Sequence, residues 1–362
     1  MRSPPPHERT MKKLRRFKKK SAAPEQPSRI TNETVAEHRE RILAGGRRFK
    51  YPVQYARHRL VINTIIISVI ALILVVAFVW WQLYPQQNTS TFFYRITRVL
   101  PLPVAVIDGQ NVPYSSYLSA FRSQEHYLEA KEGVDLYSEE SKQQLDFIKR
   151  KALDDAVADA YAAKIANEKN ISVTDKQVDE AIQRQRESRD GVTSQEAYDA
   201  IVLDHFNWTP TEAREVTKSR LLRQEVAFAI DDTAKKQRDD VLRRLKSEKD
   251  FDKVASAVPA NGDARVQTGV APLVPSSNQD GGLALAASKL EVGQISDAFR
   301  STTGDGYYIV KTLEKSNDNR ISYAYIKIPL TVFEKRLEEI KKNESKYKEY
   351  IEVEKLKTLT TQ

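Results

Sequence analysis

Side chains that commonly carry catalysis or bind metals are scarce in this sequence. It contains no cysteine, and its five histidines (His7, His38, His58, His126 and His205) stand far apart rather than at metal-ligand spacing. There is no phosphate-binding glycine loop, no Gly-x-Ser-x-Gly and no HExxH. The sequence therefore predicts no metal, no cofactor and no cysteine nucleophile.

Two other stretches have side chains that could take part in chemistry. The acids of DDAVAD and TDKQVDE recur at helical spacing, which is typical of solvated helix faces. In contrast, GDGYYIVKTLEK (304–315) places a glycine turn before an alternating, aromatic strand. The hydroxyl of its Tyr308 can donate a hydrogen bond.

The elements around these stretches are mostly helical. Asp108-Gly109 separates two short strands and predicts a hairpin over 104–112. The predicted helices are one capped by Ser115 or Ser116, a long one over Ser138–Lys169 that ends at Asn170, one capped by Thr174, one over Thr193–His205, and one beginning at Thr211. A further short helix is predicted over 34–48, ending at Gly45-Gly46.

An uninterrupted apolar run predicts one membrane span. Leu60 to Trp81 is 22 residues without a charge, long enough to cross a hydrocarbon core of about 30 Å. Trp80, Trp81 and Tyr84 lie where an aromatic belt would anchor one interface. A cleaved signal peptide is disfavoured, because the run is longer than an h-region and no small-x-small site follows it.

The charge is unevenly distributed around this run. Residues 1–59 carry 17 Lys/Arg against 5 Asp/Glu, whereas the rest of the chain has a net charge of −3. The positive-inside rule then places residues 1–59 in the cytoplasm and the C-terminal part outside. A basic tail beside a span is expected to set topology and to contact anionic lipid, rather than to bind nucleic acid.

The order of the helices resembles the N-terminal chaperone domain of SurA-like and PrsA-like foldases over about residues 103–230. The matching segments are VAVIDGQNVPYSSYL, the long helix, NISVTDKQVDEAI, TSQEAYDAI and TPTEAREVTKSRLLRQEV. Residues 231–316 resemble the parvulin-type (PpiC) prolyl isomerase domain that follows in those families. This second match rests on DDTAKKQRDDVLRRLKSEKDFDKVAS, SKLEVGQIS and the 304–315 stretch.

The resemblance implies a prolyl isomerase pocket with two histidines and an apolar grip on the proline. The last-strand histidine corresponds to Tyr308, and the gripping phenylalanine corresponds to Leu283, with Phe299 near it in sequence. Tyr307 and Tyr308 complete the implied peptide-binding set. No histidine lies in 232–315, QEVAFAID predicts a helix end instead of the first strand, and the Gly-Gly-x-Leu-Gly segment is reduced to TGVAPL (268–273). These residues either form a peptide groove or are ordinary core residues.

The C-terminal segment 319–351 has no fixed place in this resemblance. ISYAYIKI alternates as a strand, and a charged amphipathic helix follows it. The strand either pairs with the 306–313 strand and replaces the missing first strand, or starts a second, truncated parvulin unit.

We therefore expect an α+β, mostly helical protein with one N-terminal transmembrane helix, a helical chaperone-like domain and a parvulin-like α/β domain. The predicted segments are a basic disordered cytoplasmic tail (1–59), the span (60–81), a linker (82–102), the helical domain (103–230), the degenerate parvulin-like domain (231–316) and a C-terminal strand and helix (317–362).

The function expected from the resemblance is that of a membrane-tethered, extracytoplasmic holdase for unfolded or exported polypeptides. The alternatives are an active prolyl isomerase and a non-catalytic envelope scaffold for one fixed partner. A polypeptide cradle needs exposed apolar side chains. The candidates are Tyr114, Tyr117, Phe121, Tyr127, Phe206 and Trp208.

Overall fold

The computed structural model describes residues 31–50, 52–188, 191–260 and 265–354. The chain divides into two compact units, residues 1–75 and 76–362. Two helices begin the described chain, α1 (Asn32–Lys50) and α2 (Pro52–Leu83). The predicted end of α1 at Gly45-Gly46 is wrong, because the helix continues to Lys50; glycine costs only about 1 kcal/mol within a helix, which does not terminate it. The predicted lipid-binding part of the tail before residue 31 lies outside the described residues.

Helix α2 contains the apolar run. Its stretch His58–Leu83 is long and apolar enough to cross a membrane by length and composition, and none of its most apolar window is buried in the protein. This stretch includes the predicted span, Leu60–Trp81. Among the described residues it is the one helix that meets these criteria.

Six helices follow and form the helical layer. They are α3 (Thr91–Val99), α4 (Tyr114–Lys131), α5 (Lys142–Lys169), α6 (Asp175–Arg186), α7 (Gln195–Phe206) and α8 (Pro210–Ile230). In this layer α3, α4, α5 and α8 share the main apolar core, and α6 packs through a smaller cluster of its own. The region 82–102 is more than a linker, since α3 buries Phe93 against the core. Helices α5, α6 and α7 agree with the sequence prediction to within a few residues.

The caps at the helix ends agree with the sequence prediction for α5 and α6 and differ from it for α8 and α4. Thr174 forms a capping box with Gln177, and Asn170 ends α5 in the left-handed conformation with φ of 54°. Helix α8 begins earlier than predicted, because Thr209 caps it in a box with Glu212. Helix α4 begins directly after Pro113 without a side-chain cap, so the predicted serine cap is wrong.

A three-stranded sheet lies against the helical layer. Strands β1 (Pro103–Ile107) and β2 (Gln110–Pro113) form the predicted hairpin, with Asp108 and Gly109 at φ of 46° and 80° in the turn. A two-residue hairpin, β3 (Glu187–Ser188) and β4 (Gly191–Val192), extends α6.

A second module contains a four-stranded antiparallel sheet and three short helices. Its elements are α9 (Asp232–Arg244), α10 (Phe251–Ala257), β5 (Gln267–Pro275), α11 (Leu283–Ser288), β6 (Phe299–Arg300), β7 (Gly306–Lys315) and β8 (Arg320–Pro329). The strand order is β5-β8-β7-β6. Strand β8 pairs with β7 along its length, from Gly306 opposite Pro329 to Lys315 opposite Ile321. Of the two arrangements left open for ISYAYIKI, the structure shows the one in which it pairs with the 306–313 strand.

The sequence analysis assigned the glycine segment of the parvulin resemblance to residues 268–273, but the glycine turn of the structure lies elsewhere. Residues 268–273 belong to strand β5, paired with β8. Two left-handed glycines, Gly281 and Gly282, with φ of 82° and 90°, stand directly before Leu283 instead. The carbonyl of Gly281 accepts a hydrogen bond from the Thr302 amide, which holds this turn against the loop before β7.

The last part of the chain returns to the helical core. Helix α12 (Val332–Lys341) buries Phe333 and Leu337 there, and strand β9 (Tyr347–Glu349) pairs with β1 as the third strand of the first sheet. The described part of the predicted C-terminal segment, 317–354, is thus divided between two modules. The helical module is discontinuous, and residues 231–329 form an insertion between α8 and α12.

Candidate functional site

A cavity of about 760 Å³ lies between helices α3, α4, α5 and α8 of the helical module. The loop between α7 and α8 closes one side of it with Phe206 and Trp208. Several lining side chains are exposed to solvent, so the cavity is an open groove rather than a sealed void. Its size is in the range of sites that hold a ligand or several side chains of a peptide.

The room for this cavity comes from a stripe of small side chains on α4. Ser116, Ser119, Ala120 and Ser123 repeat at three- and four-residue spacing along the wall. The opposite stripe of the same helix carries large side chains that fill the core. Helix α4 therefore packs tightly on one face and leaves space on the other.

Aromatic side chains surround the opening. Tyr127, Phe147 and Phe206 are exposed, and the exposed fraction of Phe147 is 46%. The rings of Phe206 and Trp208 stack with centroids 5.0 Å apart, and the Arg220 guanidinium lies 5.9 Å from the centre of the Trp208 ring. These side chains form what we call the aromatic rim: Tyr127, Phe147, Phe206 and Trp208.

The cavity also contains polar atoms without hydrogen-bond partners. Within the described residues, Trp208 Nε1 donates no hydrogen bond and Asp159 Oδ1 accepts none, although both atoms are buried. Arg223 Nε lies 3.5 Å from that oxygen in an ion pair. Burial raises the pKa of Asp159, and the charge of Arg223 opposes this shift.

One wall of the cavity is held by an ion-pair network. Arg98 Nη2 lies 2.8 Å from Glu215 Oε1, and Arg98 Nη1 lies 3.3 Å from Glu212 Oε1. The Tyr94 hydroxyl donates to Glu212 at 2.7 Å. Burial acts to raise the pKa of Glu212, but hydrogen bonds from Thr209 and Tyr94 and the charge of Arg98 lower it overall. The lowered pKa favours the carboxylate form of Glu212, which accepts the bonds that hold this wall.

The aromatic residues predicted for a polypeptide cradle divide into two groups. Tyr127, Phe206 and Trp208 line the cavity as expected. Tyr114, Tyr117 and Phe121 are fully buried core residues on the opposite face of α4, so they offer no exposed surface. The sequence analysis did not name Phe147. Its position beside the buried residues of α5, rather than among them, is the feature that would have indicated an exposed aromatic side chain.

The residues mapped to the isomerase pocket lie in the second module. Leu283, Phe299 and Tyr308 come together in one apolar cluster, with the rings of Phe299 and Tyr308 6.5 Å apart. Tyr307 faces the other side of the sheet, where its ring packs against Phe228, because neighbouring residues of a strand point to opposite faces.

Tyr308 is held by a network of charges and tyrosines. Only 7% of its surface is exposed, and its hydroxyl donates to Asp305 Oδ2 at 2.7 Å. Lys327 Nζ lies 2.6 Å from the same oxygen. Tyr325 packs beside Tyr308 with ring centroids 6.0 Å apart.

The network shifts the pKa of two of its members, Asp305 and Tyr308. Burial acts to raise the pKa of Asp305, but hydrogen bonds from Lys327, Ser301 and Thr303 lower it well below its usual range. Burial, and then the bond to Asp305, raises the pKa of Tyr308. Tyr308 is therefore a protonated donor whose hydrogen bond is already used within the protein.

Comparison with known proteins agrees with the helical architecture. Residues 56–227 match the family described as the SurA-like N-terminal domain. The chain is also 26% identical over 233 residues to the foldase protein PrsA of Caldanaerobacter subterraneus subsp. tengcongensis, covering 58% of this chain and 72% of that protein. The matched family region contains α3 to α7 and most of α8, which include most of the cavity wall. The chain is thus similar to SurA/PrsA-like foldases, and its residues 56–227 are similar to their N-terminal domain.

Proposed function

We propose that this protein is a membrane-tethered, extracytoplasmic folding factor that holds unfolded polypeptide segments in the cavity of its helical module. The single observation that carries this proposal is the open cavity with its aromatic rim, located in the SurA-like domain. Exposed aromatic side chains bind apolar segments of many sequences, because the hydrophobic effect is not directional. The similarity to a foldase protein supports a polypeptide as the occupant.

The cavity offers more than apolar contact. The half-buried side chains of Ser116 and Gln124 also line the cavity and can donate to and accept from the backbone of an extended segment. Because every residue carries these backbone groups, such contacts do not select a sequence. This combination suits a holdase with a broad range of clients.

The tether in this proposal is the apolar part of α2. The charge-free run and the basic residues before it support an N-terminus in the cytoplasm and a C-terminal part outside. On this topology the cavity meets polypeptides after their export. The basic tail is expected to contact anionic lipid on the cytoplasmic side.

The test is aggregation suppression by the full chain in lipid nanodiscs. A chemically unfolded client is diluted into the sample, and its aggregation is followed by light scattering. Replacing rim residues by Phe147→Ser and Phe206→Ser should weaken suppression, since each lost aromatic contact removes about 1–2 kcal/mol of apolar burial. Such a loss corresponds to about tenfold weaker client binding for each 1.4 kcal/mol.

The matched control replaces two exposed apolar side chains of the second module, Val292→Ser and Leu313→Ser. This variant should suppress aggregation as the unchanged chain does. Equal losses in the two variants would reject the cavity as the client site. Unchanged suppression in the rim variant would reject it as well.

A further inference from the structure

Helix α3 has one face in the protein core and one face in solvent. Phe93 and Thr97 are buried, whereas Phe92 is 64% exposed and Val99 is 81% exposed. Arg95 lies between these two apolar residues on the same face, since positions 92, 95 and 99 are neighbours at helical spacing. We call Phe92, Arg95 and Val99 the outer face of α3.

The core-facing side of α3 packs beside the end of the apolar helix. The ring of Phe93 is 6.4 Å from the ring of Phe78 in α2. Phe78 precedes the last residue of α2, Leu83, by five positions, or about 7.5 Å along a helix axis. Trp80 and Trp81, which lie between Phe78 and Leu83 in α2, are exposed. Helix α3 is thus at the level of the last turns of α2 rather than beyond its end.

The packing of the helical module holds α3 at this level. Leu83 is fully buried, and its carbonyl accepts a hydrogen bond from the Tyr114 hydroxyl in α4. The Tyr84 hydroxyl donates to the carbonyl of Pro103 at 2.8 Å, just before the hairpin. Arg122 of α4 donates to the carbonyl of Thr89 at 2.9 Å, which holds the start of α3.

We propose that the outer face of α3 lies in the lipid interface of the leaflet at the C-terminal end of the span. The inference rests on the proposed membrane anchoring by α2. The apolar side chains of Phe92 and Val99 then enter the boundary between headgroups and acyl chains, and Arg95 pairs with lipid phosphate. Trp80 and Trp81 occupy the interfacial depth that tryptophan prefers.

Continuity with the span identifies lipid as the occupant. An exposed apolar face that is fixed beside the last turns of a membrane helix meets the bilayer before any diffusing protein. An arginine between two apolar residues matches the lipid interface, where apolar acyl chains lie next to anionic headgroups. A second copy of the chain and a polypeptide client are the competing occupants.

The absence of native cysteine allows a direct test with single labels on the full chain. An environment-sensitive fluorophore is attached to Phe92→Cys or Val99→Cys. The labelled protein is placed in phosphatidylcholine and phosphatidylglycerol vesicles, with and without doxyl-labelled lipid. Leu74→Cys, within the apolar run, reports membrane insertion, and Val292→Cys, an exposed position of the second module, is the aqueous control.

The proposal expects labels at 92 and 99 to shift to the blue and to be quenched by doxyl lipid, to an extent close to that at 74. The label at 292 should show neither effect. If 74 is quenched while 92 and 99 behave as 292, the anchor stands and the lipid contact of α3 is rejected. If 74 is not quenched, the anchoring itself is rejected, and this inference with it. A blue shift at 92 and 99 without quenching assigns the face to a protein partner and rejects lipid.

Discussion

Tyr308 occupies the position that the parvulin resemblance gives to a catalytic histidine, but its surroundings differ from those of a catalytic group. Its hydroxyl already donates to Asp305, and Lys327 balances that carboxylate. Burial and the bond to Asp305 raise the pKa of Tyr308, which favours its protonated form further. The residues assigned to the grip on proline, Leu283 and Phe299, belong to the same apolar cluster as Tyr308, and the Phe299 ring stacks on that of Tyr308.

We therefore predict that the full chain does not accelerate prolyl isomerisation. Exchange NMR on a short X-Pro peptide should give the same rate with and without the protein, because the Tyr308 hydroxyl is 2.7 Å from its partner and its ring is buried. Tyr308→Phe should also leave the rate unchanged. Acceleration that Tyr308→Phe abolishes would instead establish a catalytic site without histidine.

The pairing of β7 with β8 is the element on which the second module depends. Gly306 begins β7 opposite Pro329, and a Cβ atom added there would lie 2.4 Å from the carbonyl oxygen of Ile328. Backbone cannot move away as a flexible side chain can. Only glycine allows the two strands to approach this closely.

Gly306→Ala is therefore expected to destabilise the second module by about 1–3 kcal/mol, the usual cost of overpacking. Hydrogen exchange measured by mass spectrometry should show faster exchange in β7 and β8 and unchanged exchange in α5. The control is Gly45→Ala in α1, where an added Cβ meets no atom within 4 Å. Unchanged protection in Gly306→Ala would show that the strand pairing tolerates a side chain here.

Elements defined by local signals were predictable from the sequence. The Asp108-Gly109 turn, the Thr174 capping box and the left-handed Asn170 each depend on residues within a few positions of one another. The alternation of ISYAYIKI likewise predicted a strand. Such signals identify an element. They do not separate the rim residues Tyr127, Phe206 and Trp208 from Tyr114, Tyr117 and Phe121, which were candidates on the same grounds and are buried.

Other features depend on contacts that are distant in sequence. Nothing local shows that β9 pairs with β1, or that Tyr114, Tyr117 and Phe121 face the core while serines of the same helix face the cavity. The extension of α1 through Gly45-Gly46 reflects the weakness of glycine as a helix terminator. The cavity itself is a space between four helices, so no single segment encodes it.

At the scale of the whole molecule, the second module is inserted into the helical module through a short neck at Asp231. Asp231 Oδ1 accepts from the Ala234 amide at 2.8 Å and caps α9. Its Oδ2 accepts from the amides of Thr331 and Val332, at the start of α12, at 2.8 and 3.1 Å. The two ends of the insertion are thus joined by one buried carboxylate, which makes removal of the insertion geometrically simple.

We predict that replacing residues 233–329 by a short glycine linker leaves a folded helical module that still suppresses client aggregation. The cavity wall comes from α3, α4, α5, the end of α7 and α8 with its preceding loop, none of which is removed. The opposite truncation, after Pro329, should unfold the helical module. It removes Phe333, Leu337, Ile351 and Val353 from the core, with a loss on the order of 10 kcal/mol of apolar burial, which is comparable with the whole stability of a domain.

Circular dichroism with thermal unfolding and the light-scattering assay test both variants in the same nanodiscs. A folded excision variant without aggregation suppression would assign client binding to the second module, whereas suppression by it would place the holdase function in the discontinuous helical module. Because the Tyr308 cluster is absent from the excision variant, suppression there cannot depend on prolyl isomerisation. One deletion therefore separates the holdase from the isomerase as the source of folding activity.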